Sequence, residues 1–262
     1  MTARPFSCQR RARLGWLLAC LAACLSACTE GGSETGNPVV TQMELGLRSE
    51  DPEKIGVRSG SGGAVLEQAW LAFGELTLLR GDECAQLGEI DVFGPTAVAA
   101  DLARGNTQIT LEPATRSYCG LVLPLNQRSA RADLPADAPA ELAEHSIVLR
   151  GQRADGVRFE LLHSEQDALE LAGDGGDFAV GPQGPALLLS FDVAVWMDGV
   201  ELDGAQIGDD GIIHIDVDSA ANRPLLDAYE ANLECSLELY ADDDDDGQVG
   251  ASDTRLAHCF DD

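Results

Sequence analysis

Apolar residues recur at every second position in short runs along this chain, and that period of two constrains its fold more than any other feature. The clearest run sets Leu187, Leu189, Phe191, Val193, Val195 and Met197 on one side and Ser190, Asp192 and Asp198 on the other. Successive side chains of a strand point to opposite faces, so this is the pattern of a half-buried strand. Asp198-Gly199 then supplies a hairpin turn into Val200 and Leu202. Similar runs are Cys119/Leu121/Leu123/Leu125, Val157/Phe159/Leu161, Ile213/Ile215/Val217 and Cys235/Leu237/Leu239. From Val65 to Arg80 the phase changes: Ala69, Leu71 and Phe73 share one face, Leu76 and Leu78 the other, as a bulge at Gly74 within one strand would produce. One segment, about Arg223 to Leu233, has helical spacing, with Leu225, Tyr229 and Leu233 on one face, Pro224 in the first turn and Asn222 as the cap. The expected fold is therefore mainly β: an antiparallel β-sandwich of Ig-like or transthyretin-like topology, with one short helix near the C-terminus.

Residues 1–27 stand apart from this pattern. Arg4, Arg10, Arg11 and Arg13 precede an apolar run, Leu14 to Ala27, that is too short to span a bilayer as a helix and reads as a signal peptide. Leu25-Ser26-Ala27-Cys28 matches the lipobox, at which a diacylglycerol is attached to the cysteine and the chain is cut before it. Leu21-Ala22-Ala23-Cys24 also fits, and Leu17-Leu18-Ala19-Cys20 loosely. Cys28 leaves the longest apolar region and is followed at once by polar Thr29-Glu30-Gly31-Gly32-Ser33. Each buried CH₂ of an acyl chain contributes about 0.8 kcal/mol, so a multiply acylated Cys28 is a permanent membrane anchor. Thr29 is not the aspartate of an inner-membrane retention signal, which points to the outer membrane, on either its periplasmic or its surface side. Residues 28–40 read as a tether of roughly 20 Å by random-coil scaling. Residues 41–240 read as the sandwich region, with the Ala-, Pro- and Asp-rich stretch 129–144 as a linker dividing it or as one long loop. Residues 241–262 form a C-terminal loop and tail.

Charge and cysteine usage narrow the function. Removing residues 1–27 takes four of the 17 basic residues and none of the 45 acidic ones, leaving a net charge of −32. Phosphate backbones would be repelled, so a nucleic-acid partner is excluded. Of eight cysteines, Cys84, Cys119, Cys235 and Cys259 remain after the signal and the anchor are set aside. In an oxidising compartment they suggest two disulfides, with Cys84–Cys119 and Cys235–Cys259 the favoured pairing because each pair falls within one region of the chain. No CxxC spacing suggests a metal role for them.

The one loop with chemistry runs from Asp242 to Asp253. Asp242, Asp244 and Asp246 fall at positions 1, 3 and 5 of a twelve-residue EF-hand register, and Gly247 is at position 6, where the chain must turn sharply. Gln248 offers its carbonyl at position 7, Val249 is the apolar position 8 and Asp253 closes the loop at 12. Hard oxygen donors at these offsets suit Ca²⁺, here in a structural role, with Cys235 and Cys259 bracketing the loop. Aspartate in place of the usual glutamate at position 12, and a strand in place of an entering helix, resemble the calcium loops of dockerin modules.

The lipobox, the tether Thr29 to Pro38 and the strands Trp70-Leu71-Ala72-Phe73-Gly74-Glu75-Leu76 and Leu188-Leu189-Ser190-Phe191-Asp192 resemble uncharacterised lipoproteins of Gram-negative bacteria. Those are similar to transthyretin-like or carbohydrate-binding-like sandwiches, and the resemblance implies no catalytic residues. Nucleophile elbows, HExxH, P-loops and dinucleotide fingerprints are absent, and His145, His163, His214 and His258 lack ligand spacing. The expectation is a non-enzymatic, lipid-anchored envelope protein with a protein or glycan partner or a structural role. The alternative is an envelope-anchored glycan or ester hydrolase using a carboxylate pair.

Overall fold

Period-two runs must bury their apolar faces against a second layer, and in the computed structural model that layer is another sheet. The structure describes residues 41–48, 56–57, 63–80, 90–92, 98–125, 134–164, 168–181 and 184–259, all within one compact unit spanning Asn37–Asp262. The signal peptide, tether, Cys28 and Cys84 lie outside the described residues. In chain order the strands begin with β1 (Thr41–Arg48), β2 (Gly56–Val57), β3 (Ala64–Phe73), β4 (Thr77–Leu79), β5 (Ile90–Val92), β6 (Val98–Asp101), β7 (Thr107–Leu111), β8 (Arg116–Tyr118) and β9 (Gly120–Pro124). They continue with β10 (Ile147–Arg153), β11 (Arg158–His163), β12 (Ala168–Gly173), β13 (Phe178–Val180), β14 (Ala186–Asp192), β15 (Ile212–Ile215), β16 (Leu237–Asp242) and β17 (Thr254–Cys259).

The larger sheet runs β5-β4-β9-β12-β17-β16-β14-β1-β7. The second runs β15-β11-β10-β3-β2, with β6 also on β3, and β13 pairs β8 in a separate ribbon. Leu71 and Leu149 of the second sheet share one apolar core with Leu121, Leu189 and Leu237 of the first, which makes the fold a sandwich. The ladders are antiparallel except for β1 with β14 and β11 with β15, which run parallel. Parallel partners require a crossover, and both pairs join segments far apart in sequence. Among the described residues no helix is long and apolar enough to cross a membrane.

The helix Arg223–Leu233 forms where the spacing places it, and it buries Leu226, Tyr229 and Leu233. Asn222 is not its side-chain cap. Its Oδ1 accepts from Gln206 N–H at 2.8 Å, and its Nδ2 donates to the carbonyls of Gln206 and His214, so it ties the loop at Gln206 to β15.

Two strand readings are corrected. The segment from Val65 to Arg80 is not one bulged strand: β3 belongs to the second sheet and β4 to the larger one, so the phase change at Gly74 marks a crossing between sheets. Ladder irregularities fall instead at Arg150/Gly151, where β10 meets β3, and at Leu239/Tyr240, where β16 meets β17. The long run from Leu187 ends as a strand at Asp192, and Val193–Trp196 makes one helical turn. That turn rotates Trp196 into the core and leaves Val195 37% exposed. Trp196 stacks on Phe191 at 5.4 Å between ring centroids and lies 5.8 Å from Tyr229, which meets His163 edge-on. Burial in this aromatic cluster pushes the Tyr229 phenol well above its ordinary value.

The low-periodicity stretch before residue 144 is more than a linker in its described part. Leu134, Ala138 and Leu142 lie over Trp70, Ala72 and Val148, which alternate with the core-facing residues of β3 and β10 and so occupy the opposite face of the second sheet.

Candidate functional site

The acidic loop connects β16 to β17, two neighbouring antiparallel strands, and so sits at the tip of a hairpin. A Cys235–Cys259 disulfide, with Cα atoms 5.0 Å apart, joins the chain just before β16 to the last residue of β17. Cys119 is also disulfide-bonded.

Asp242 is the last residue of β16 and is buried, so its carboxylate is held by the sheet. Its Oδ1 accepts from the Asp246 N–H and its Oδ2 from the Gly247 N–H, both at 3.1 Å, which folds residues 243–247 back over it. Asp246 Oδ1 in turn accepts from the Gln248 N–H at 2.7 Å. The reversal takes the backbone into the left-handed region at Asp245 (φ 59°) and Gly247 (φ 73°). A Cβ at Gly247 would stand 2.7 Å from Glu44 Oε2, the end of a flexible side chain that can swing aside, so it is the positive φ that favours glycine there.

This folding brings Asp242, Asp244 and Asp246 together, with one carboxylate oxygen of each within 4.8 Å of the others. Ca²⁺ binds oxygens at about 2.4 Å, so donors on opposite sides of one ion stand about 4.8 Å apart, and the three oxygens fit a single coordination shell. Among the described residues no Lys, Arg or His forms an ion pair with any of the three. The nearby cation, Arg255, is engaged by Glu238 at 2.8 Å and Asp174 at 2.9 Å, and those hydrogen bonds raise its guanidinium further above its ordinary value.

The remaining positions are used differently. Asp253 accepts from the Asp243 N–H through Oδ1 (3.1 Å) and from the Gly250 N–H through Oδ2 (2.6 Å), so it stands apart from the three convergent carboxylates and pins the returning half of the loop. Asp243, outside the register, accepts from both the N–H and the hydroxyl of Thr254. Gln248 is exposed, and Ser252 donates its hydroxyl to Asp244 Oδ2.

Two residues that belong to this site carry no signal in the sequence. Asn106 donates its amide to the Gly247 carbonyl and, at 3.1 Å, to Glu44 Oε2. Glu44 lies on β1 and Asn106 directly precedes β7; the strand order β16-β14-β1-β7 is what brings them to a loop 141 residues from Asn106 in sequence and farther still from Glu44.

The chain matches no protein-family model and no curated protein. One solved structure is similar. It is MbnP from Methylosinus trichosporium, with 11% identity and a TM-score of 0.43, over 85% of this chain and 99% of that one. A likeness at that distance carries no argument for activity, ligand or partner.

The other sequence candidates fall outside any cluster of this kind. His163 is buried against Tyr229, and His145 bonds the Ser164 hydroxyl. His214 is half-exposed on β15 between Asp210 (2.9 Å) and Glu160 (3.7 Å), as its alternation with Ile213 and Ile215 suggests. Trp70 is 2% exposed and Trp196 fully buried, so neither indole is presented to a sugar ring.

Proposed function

We propose that the protein is a lipid-anchored module of the cell envelope, non-enzymatic, whose C-terminal hairpin is ordered by Ca²⁺ and which binds a partner or contributes to the envelope's structure. The observation that carries the calcium reading is the convergence of Asp242, Asp244 and Asp246 with no basic residue paired to them among the described residues. Three like charges at that spacing repel, and a divalent cation among them turns repulsion into coordination. Carboxylate oxygens without imidazole or thiolate favour a hard ion, Ca²⁺ or Mg²⁺, over a transition metal. The open, exposed side of the loop suits the larger ion, with water and the Gln248 carbonyl completing its shell. An affinity on the order of 10⁻⁴–10⁻³ M, as in extracellular modules, suits a structural role in a calcium-rich exterior.

The anchor rests on the lipobox at Cys28, the basic n-region and the Gly-rich tether. They would hold the sandwich near an outer membrane, with the acidic surface turned from anionic headgroups.

Calorimetric titration of Ca²⁺ into metal-stripped residues 29–262, which contain the compact unit, tests the calcium reading. One saturable site, lost in Asp244→Ala and Asp246→Ala, is expected. No heat of binding up to several millimolar would reduce the loop to a solvated acidic turn. Metabolic acyl labelling tests the anchor: Cys28→Ala should abolish it, and persistent labelling would move the anchor to another cysteine.

A further inference from the structure

The segment Leu134–Glu144 is attached to the body in an unusual way. Among the described residues its backbone hydrogen bonds stay near home: Ala138 N–H to Pro135, Leu142 N–H to Pro139, and the Glu144 and His145 N–H groups to Glu141. Among the described residues no ladder bond ties it to the sheet beneath. What holds it is the burial of Pro139 and Leu142, with Leu134 and Ala138 partly buried beside them, and two ion pairs, Arg104–Asp137 and Arg150–Glu141. Both pairs are solvent-facing, at 56%/56% and 31%/40% side-chain exposure, the class that contributes least and weakens with salt.

The patch beneath is separate from the main core. Trp70, Ala72, Val148 and Leu142 form their own small cluster, so uncovering it breaks none of the packing between the sheets. Among the described residues the buried Trp70 indole N–H has no acceptor. An unmet donor is costly when dry and satisfied when wet, which favours opening. The body residues that grip the segment keep partners without it: Arg150 also bonds Glu160 at 2.6 Å, and Arg104 also pairs with Asp101 at 3.1 Å.

We propose that Leu134–Glu144 is a strap that detaches as a unit, at a free energy well below that of global unfolding, and uncovers an apolar patch floored by Trp70. Its two ion pairs set how often it opens. Small satellite clusters with few buried contacts supply the low-stability end of local opening in folded proteins.

Indole N–H hydrogen exchange, followed by NMR on the full chain, separates strap opening from global unfolding. The resonances are assigned with Trp70→Phe, Trp196→Phe and Trp16→Phe. Trp70 reports the patch and Trp196, in the main core, reports the fold. Trp70 should exchange at least tenfold faster than Trp196 and be nearly insensitive to sub-denaturing urea. Asp137→Asn with Glu141→Gln should speed Trp70 exchange a further 3- to 10-fold, as expected for two exposed pairs, and leave Trp196 unchanged. Raising salt from 0.05 to 0.5 M should act in the same direction on the parent and not on the double variant. Equal exchange at the two indoles, with the same urea dependence, would overturn the proposal. So would a double variant in which Trp70 and Trp196 accelerate together.

Discussion

Asp242 and Asp244 should behave oppositely when metal is absent, although both belong to the same candidate calcium site. Asp242 is buried and accepts two backbone N–H bonds that shape the loop, whereas Asp244 is exposed and accepts one serine hydroxyl. Replacing Asp242 by Ala removes two bonds to a charged acceptor. At the low end of their usual range, because water reaches the loop, these cost about 3 kcal/mol together. Each carboxylate also repels its two neighbours, by roughly 0.5 kcal/mol per neighbour at about 4.8 Å in screened water, so removing either charge returns about 1 kcal/mol. The net for Asp242→Ala is about 2 kcal/mol of destabilisation. For Asp244→Ala the relief exceeds one exposed hydrogen bond, and the variant should be about 0.5 kcal/mol more stable than the parent. Calcium reverses the second sign. At about 10 mM Ca²⁺ and a dissociation constant of 10⁻⁴–10⁻³ M, the parent gains about 1.4–2.7 kcal/mol, roughly 3–10 °C in Tm, and neither variant gains it. Urea unfolding in EDTA and in Ca²⁺ measures all six stabilities. Equal stability of the two variants in EDTA would refute the division of roles within the loop, and calcium stabilisation retained by Asp244→Ala would refute the site.

Three further outcomes are expected. Asp101 is 8% exposed and its Oδ1 accepts from the Ala69 N–H at 2.9 Å, inside the second sheet, and from the Ala103 N–H at 3.2 Å; Asp101→Ala should cost about 3 kcal/mol in urea unfolding and Asp101→Asn, which keeps the acceptor, about 1. A Cβ at Gly151 would fall 2.3 Å from the Val65 carbonyl oxygen and 2.6 Å from the Phe159 ring, so Gly151→Ala should force β10 from β3 and lower stability by about 3 kcal/mol, read as a lower urea midpoint with the m-value unchanged. The Cys235–Cys259 bridge spans 24 residues, and Cys235→Ser with Cys259→Ser should cost about 3–4 kcal/mol in the chain-entropy model, measured as a fall in Tm of roughly 7–14 °C.

The mainly β character, the helix Arg223–Leu233, the Cys235–Cys259 pairing and the register that gathers Asp242, Asp244 and Asp246 were all legible in the sequence alone. Each depends on residues a few positions apart, or, for the cysteines, on one hairpin, and local spacing carries that information directly. What the tertiary structure decided involves neighbours that no local pattern names. Alternation from Leu187 to Met197 is the same whether the chain continues as a strand or turns once as a helix after Asp192; the outcome rests on the space that Phe191 and Tyr229 leave for Trp196. A phase change at Gly74 has the same appearance in a bulge and in a crossing between sheets, and the partners of β3 and β4 select the crossing. Ser190 looked solvent-facing by alternation, yet β14 lies between β1 and β16 and is buried on both faces. Glu44 and Asn106 join the acidic loop only because four strands from distant parts of the chain lie side by side in the order β16-β14-β1-β7. Periodicity tells a residue which face it occupies; which strand lies beside it is settled by the packing of the whole sandwich.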